Sequence, residues 1–129
     1  MTDPITDMLN RIVTAQAVSK TDVLVPYSNF KNNIATILAK EGFVSDIKKI
    51  AKGNAKFLKI TLKYQDKLPQ IEGFKRISKP GQRIYNKQSE IKKVHGGFGL
   101  SVVSTSKGLM TNKEARKANR GGEILFQIW

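Results

Sequence analysis

The sequence predicts an α+β fold in two small lobes: an N-terminal α-β-α-β-β lobe over residues 1–66 and a β-rich C-terminal lobe with one short helix over residues 67–129. Three observations predict it. Two stretches of the first half carry apolar residues at helical spacing behind good capping residues. Residues 57–64 alternate apolar and polar side chains, the period of a half-buried strand. The second half holds several short β-type runs separated by turn signals, with a single helical signature near its end.

Asp3 is placed to cap the first helix, with Pro4 at its first position, where the missing N–H has no intrahelical partner to lose. Ile5, Met8, Leu9 and Ile12 then share one face, Arg11 lies off it, and the helix fades near Ser19. TDVLVP (21–26) reads as a short strand stopped by Pro26. Ser28 caps a second helix with Phe30, Ile34, Ile37 and Leu38 inward, Lys31 and Lys40 exposed, and Gly42 at its end. FVSDIKKI (43–50) and FLKITLKY (57–64) follow as strands. In the second, Leu58, Ile60, Leu62 and Tyr64 share one face, and Lys59, Thr61 and Lys63 the other. The KGNA link carries Gly-Asn turn chemistry and predicts a hairpin. The polar stretch YQDKLPQ (64–70) marks the lobe boundary.

Beyond it, IEGFKRIS (71–78) reads as a strand, KPGQ (79–82) as a type II turn, and RIY (83–85) as resumed extended chain. GLSVVST (99–105) is another strand. In TNKEARKAN (111–119), Thr111 and Glu114 form the capping box of a short helix. EILFQIW (123–129) is the last strand.

Charge narrows the function. The chain holds 23 basic and 10 acidic residues, a net charge of +13. Residues 65–129 hold 13 basic and 5 acidic residues, a net +8. A compact protein with this surplus repels itself, and a polyanion relieves the repulsion. Nucleic acid fits better than membrane, because no segment is a basic amphipathic helix. The absence of cysteine excludes disulfides and thiolate metal sites. A single histidine, His95, cannot build a His-rich metal site. Two aspartates stand near the N-terminus where a secretory signal carries positive charge, and no apolar run reaches membrane-spanning length. The expectation is a soluble cytoplasmic protein without a cofactor.

No catalytic constellation emerges. GGFG (96–99) does not match dinucleotide or P-loop glycine spacing, and the acidic residues are scattered. A hydrolase built on Ser104–Ser106 would need a base, and the sequence offers only Glu123 or a lysine. Basic residues beside an aromatic are more informative. Arg83 and Tyr85 stand two apart, so in a strand they share a face. Arginine bridges phosphates or stacks on a base, and tyrosine adds a flat ring and a hydroxyl. The run Ser104–Thr105–Ser106, followed by Lys107 and Gly108, supplies neutral groups suited to ribose hydroxyls and base edges. Local turn bonding is the competing use of such hydroxyls. Lys31 and Lys92 join the candidate set as point charges.

STSKGLMTNKEARKANRGGEILFQIW (104–129) resembles the C-terminal signature of the bacterial small-subunit ribosomal protein eight family. DPITDMLNRI, KEGF (40–43) and KPGQRIY (79–85) follow the family's order and spacing, so the resemblance covers essentially the whole chain. It implies an α/β N-terminal lobe and a β-rich C-terminal lobe. It also implies direct binding to a helical region in the central domain of small-subunit rRNA, early in assembly, among neighbouring small-subunit proteins. Some members also repress translation of their own operon's mRNA, so a free-standing RNA-binding repressor is the alternative reading. By the resemblance, Ser104, Thr105 and Ser106 match the RNA-contacting loop, and Arg83 and Tyr85 a second contact region. Gly121, Gly122 and Glu123 match the turn packed beside that loop. The lone acid after Gly-Gly is expected to steady the loop by accepting its backbone or hydroxyl protons.

Overall fold

A computed structural model describes residues 3–87, 91 and 99–129. The chain divides after Ile71 into two compact units.

In the first unit, α1 (Pro4–Ala17) and α2 (Asn29–Lys40) accompany a three-stranded antiparallel sheet of β1 (Asp22–Pro26), β2 (Val44–Lys52) and β3 (Ala55–Leu62). The strand order is β1-β3-β2, which leaves Pro26 on an edge strand, where a missing ladder N–H is tolerated. Asp3 caps α1 by accepting the N–H groups of Ile5 and Thr6 at 3.2 and 3.4 Å. Ile5, Met8, Leu9 and Ile12 are buried, and Arg11 pairs with Asp7 one turn earlier on the exposed side. Ser28 caps α2 by accepting the Lys31 N–H at 3.1 Å. The face of α2 differs from the one the sequence predicts. Ile34, Ala35 and Leu38 are buried, whereas Phe30 is 40% exposed and Ile37 is half-buried. Lys31 stands three, four and seven residues before the buried trio, so it shares their face and is itself half-buried rather than exposed.

The helix ends follow one pattern. Ser19, Gly42 and Asn119 each take positive φ just past a helix. Each following amide reaches back five residues into the last turn: Lys20 to Ala15, Phe43 to Leu38 and Arg120 to Ala115. These are Schellman caps, which satisfy carbonyls the helix itself leaves unpaired.

Gly53 closes the β2–β3 hairpin at φ +62, as the Gly-Asn pair predicts. Residues 64–70 are more ordered than a linker. β4 (Tyr64–Gln65) pairs with β5 (Leu68–Pro69) around Asp66 and Lys67, both at positive φ, the pattern of a type I′ turn. Tyr64 thus leaves the β3 face expected of it, and its hydroxyl donates to the Lys20 carbonyl at 2.6 Å. The buried Gln16 side chain donates to the Ile71 carbonyl at 2.6 Å, which ties the chain to this unit past residue 66.

The second unit is an antiparallel sheet. It contains β6 (Phe74–Arg76), β7 (Tyr85–Asn86), β8 (Leu100–Thr105), β9 (Gly108–Thr111) and β10 (Gly122–Ile128), with α3 (Asn112–Lys117) between the last two. The order is β6-β10-β8-β9, with β7 also paired to β10. The strand expected over 71–78 is regular only at β6. The register shifts between Ile124 and Phe126 on β10, and Ile77 and Ser78 bond to the Leu125 and Ile124 carbonyls around that irregularity. β9 was not read from the sequence. The α3 capping box is complete in both directions: Glu114 N–H donates to Thr111 Oγ1 at 3.2 Å, and Thr111 N–H to Glu114 Oε1 at 3.1 Å. Ile91, Val103, Ala115 and Ile124 form a buried cluster that seats α3 on one sheet face.

Candidate nucleic-acid interface

Register builds the site. Glu123 on β10 lies opposite Tyr85 on β7 and opposite Ser104 on β8, and Ser104 lies opposite Leu109 on β9. Side chains directly opposite one another share a face, so Tyr85, Glu123, Ser104 and Leu109 form one row across four strands. The neighbouring pair Val103–Ile124 points to the other face, into the cluster under α3.

A serine clasp brings Arg83 and Tyr85 to that row. Buried Ser78 accepts the Ile84 N–H at 2.8 Å and donates to the Ile84 carbonyl at 3.1 Å. This closes the Pro-Gly loop, in which Gly81 sits at φ +88, as a type II turn requires. The Ile84 carbonyl also accepts the Ile124 N–H at 3.0 Å, fixing the loop to β10. Tyr85 is 68% exposed, so it is not a core tyrosine. Arg83 donates to Glu123 Oε2 at 3.0 Å. Glu123 therefore holds the Arg83 loop and not, as expected, the hydroxyl loop.

The hydroxyl run is the end of a hairpin. Thr105 lies opposite Gly108, with Ser106 and Lys107 as the two connecting residues and Gly108 at φ +111. Thr105 Oγ1 donates to the Gly108 carbonyl at 2.8 Å and accepts the Lys107 N–H at 3.1 Å. The half-buried Thr105 hydroxyl is thus engaged in the local turn bonding that competes with an outward contact. Ser106 Oγ accepts from Arg120 Nη1 at 3.1 Å.

Gly122 is required by close approach. A Cβ there would overlap the Ser104 carbonyl oxygen and lie 3.3 Å from the Thr105 Cα. The Gly-Gly turn thus lets β10 press against the strand that carries the hydroxyls.

Of the sequence-predicted residues, Arg83, Tyr85, Ser104, Thr105, Ser106, Lys107, Gly121, Gly122 and Glu123 fall within these connected segments of the second unit. Lys31 belongs to the first unit, where it lines a shallow depression with Asp3, Thr6, Asp7 and Asn10. Lys92 and His95 lie outside the described residues. Arg120 was missed. The only sequence signal for it was Asn119, a residue that tolerates the left-handed cap conformation and so fixes where the next side chain starts. Among the described residues, no three His, Asp or Glu side chains gather in a metal-binding group, and no helix is long and apolar enough to cross a membrane.

Fold and site define a small, strongly basic α+β protein in which a cation, hydroxyls and one exposed aromatic ring share one row of an antiparallel sheet and its adjoining turns. The family model for Ribosomal protein S8 matches residues 3–129. The chain belongs to that family. It is 52% identical over 130 residues to small ribosomal subunit protein uS8 of Caldanaerobacter subterraneus subsp. tengcongensis, covering all of this chain and 98% of the relative. It is 51% identical over 130 residues to the protein of the same name from Thermoanaerobacter sp. strain X514, and 50% identical over 129 residues to that from Clostridium novyi strain NT. Both alignments have the same coverage.

Proposed function

We propose that this protein binds the central domain of small-subunit rRNA directly, at a helical region, and is a structural component that supports assembly of the small ribosomal subunit. Its working place is the ribosome in the cytoplasm, beside neighbouring small-subunit proteins, and it acts without a cofactor or catalytic step. Its full-length relatives bear the name of a small-subunit ribosomal protein.

The observation that carries the RNA reading is the row of Tyr85, Glu123 and Ser104, with Tyr85 at 68% exposure. A large aromatic left this exposed beside an arginine and a hydroxyl-bearing turn offers a base a stacking surface. Ser104 and Ser106 suit sugar and base-edge atoms, while Thr105 shapes the turn that presents them. Arg83 and Lys107 supply local charge, with Lys31 and Lys92 adding to the general attraction. Glu123 and Gly121–Gly122 position these groups.

The test is titration of the protein with a central-domain rRNA fragment and with an unrelated RNA duplex of equal length, at one salt concentration. The fragment should bind at least ten-fold more tightly, and the protein should sediment with small subunits in a lysate. Equal affinity for both RNAs would remove the specific-site reading. A free-standing repressor would bind its mRNA site yet stay out of the small-subunit fraction.

A further inference from the structure

Thr105 and Ser106 are neighbours, but the protein uses opposite halves of their hydroxyls. A hydroxyl has one proton to give and two lone pairs to receive. Thr105 gives its proton to the Gly108 carbonyl and receives one from the Lys107 amide, so it has no proton left to offer. Ser106 receives a proton from the Arg120 guanidinium, its hydrogen-bond partner among the described residues. Its own proton is therefore uncommitted among the described residues.

Arg120 reaches Ser106 because the end of α3 is locked. Asn119 takes φ +54, its N–H donates to the Arg116 carbonyl at 3.1 Å, and the Arg120 N–H donates to the Ala115 carbonyl at 2.8 Å. Ala115 is fully buried, so this cap is anchored in the core beneath the sheet. The Arg120 side chain thus starts from a fixed backbone position rather than from a fraying helix end.

We infer that Arg120 is a specificity-positioning residue of the RNA site. By occupying a lone pair of Ser106, it turns that hydroxyl into a donor aimed at an RNA acceptor: a base ring nitrogen, a base carbonyl or a ribose oxygen. Thr105 cannot substitute, because its proton is held by the turn. Arg120 then acts on RNA recognition through Ser106, and its own positive charge is a secondary contribution. This inference rests on the RNA-binding reading above and adds to it a residue and a hydrogen-bond polarity.

A double-mutant cycle tests it. Arg120→Ala, Ser106→Ala and the double variant are titrated against the central-domain rRNA fragment and the unrelated duplex. Alanine keeps the backbone amide that closes the α3 cap, so melting curves should stay close to wild type. Each single variant should lose roughly 5–10-fold on the fragment, the size of a hydrogen bond to a charged or well-placed partner. The loss on the duplex should be at most about 3-fold, since only one charge is removed. The double variant should lose no more than the worse single variant, because both substitutions break one unit. Additive losses on the fragment would overturn the proposal, as would an Arg120→Ala loss equal on both RNAs, the mark of a simple phosphate contact. A wild-type protein that does not prefer the fragment would instead overturn the RNA-site reading beneath it.

Discussion

Gly122→Ala is the sharpest perturbation the structure offers. The added methyl would overlap the Ser104 carbonyl oxygen and sit 3.0 Å from its carbon and 3.3 Å from the Thr105 Cα. All three atoms are backbone of β8, so no side chain can rotate away. Relief requires prying β8 from β10 where Glu123 faces Ser104. Overpacking of this kind costs about 3 kcal/mol, the upper part of its usual range. For a chain of 129 residues that lowers Tm by on the order of 10 °C. Gly53→Ala is the control. Its Cβ meets nothing within 4 Å, so only the positive φ of +62 is penalised, at about 1 kcal/mol. Circular-dichroism melts of the two variants and wild type measure the difference. Titration with the central-domain fragment, at a temperature where all three are folded, measures the effect on the site. Gly122→Ala should melt lower than Gly53→Ala and lose affinity, while Gly53→Ala binds like wild type. If Gly122→Ala melts no lower than Gly53→Ala, the close approach of β10 to the hydroxyl strand is not what demands glycine.

Three further outcomes are expected. Tyr85→Ala should weaken binding to the fragment by about 1–3 kcal/mol and Tyr85→Phe by less, while melting hardly changes, because the ring is 68% exposed; a large Tm loss with normal binding would refute it. Glu123→Gln should loosen Arg83 and reduce affinity for the fragment although it removes a negative charge. Arg83 is half exposed but Glu123 is mostly buried, so Tm should fall somewhat as well, and tighter binding to both RNAs would mean simple electrostatics governs. Thr111→Ala should cost about 1 kcal/mol by breaking the α3 capping box; guanidinium melts measure it, and no shift in midpoint would count against the cap.

Much of this fold was legible because its signals are local. Asp3-Pro4, Ser28 and Thr111 with Glu114 announce helix starts within four residues, and each helix begins where its cap predicts. The Gly-Asn and Pro-Gly turns are equally local. What escaped depends on distant partners. β9 was hidden because GLMT lacks strict alternation and its strand character comes from pairing with β8. The inward face of α2 was misjudged by about one residue step, since Phe30 and Lys31 both lie at its first turn and only packing chooses between them. At the site, the residue types of Arg83, Tyr85 and Ser104–Ser106 were readable, but their alignment is a matter of register. The wiring was less legible still. Glu123 holds Arg83 rather than the hydroxyl turn, and Arg120 enters only through a cap geometry that places it opposite Ser106.

The position of β10 in the sheet bears on how the molecule is made. It is the last strand in chain order, yet it pairs with β6, β7 and β8. As the chain leaves the ribosome that synthesises it, the first unit already holds all of β1, β2 and β3 and has what it needs to fold. The second unit waits, because its central strand is the last to arrive and its contacts span long stretches of sequence. Until β10 docks, Tyr85 and Ser104 have no shared neighbour and Arg83 has no carboxylate to hold it. The row of Tyr85, Glu123 and Ser104 thus appears all at once, when a single strand inserts.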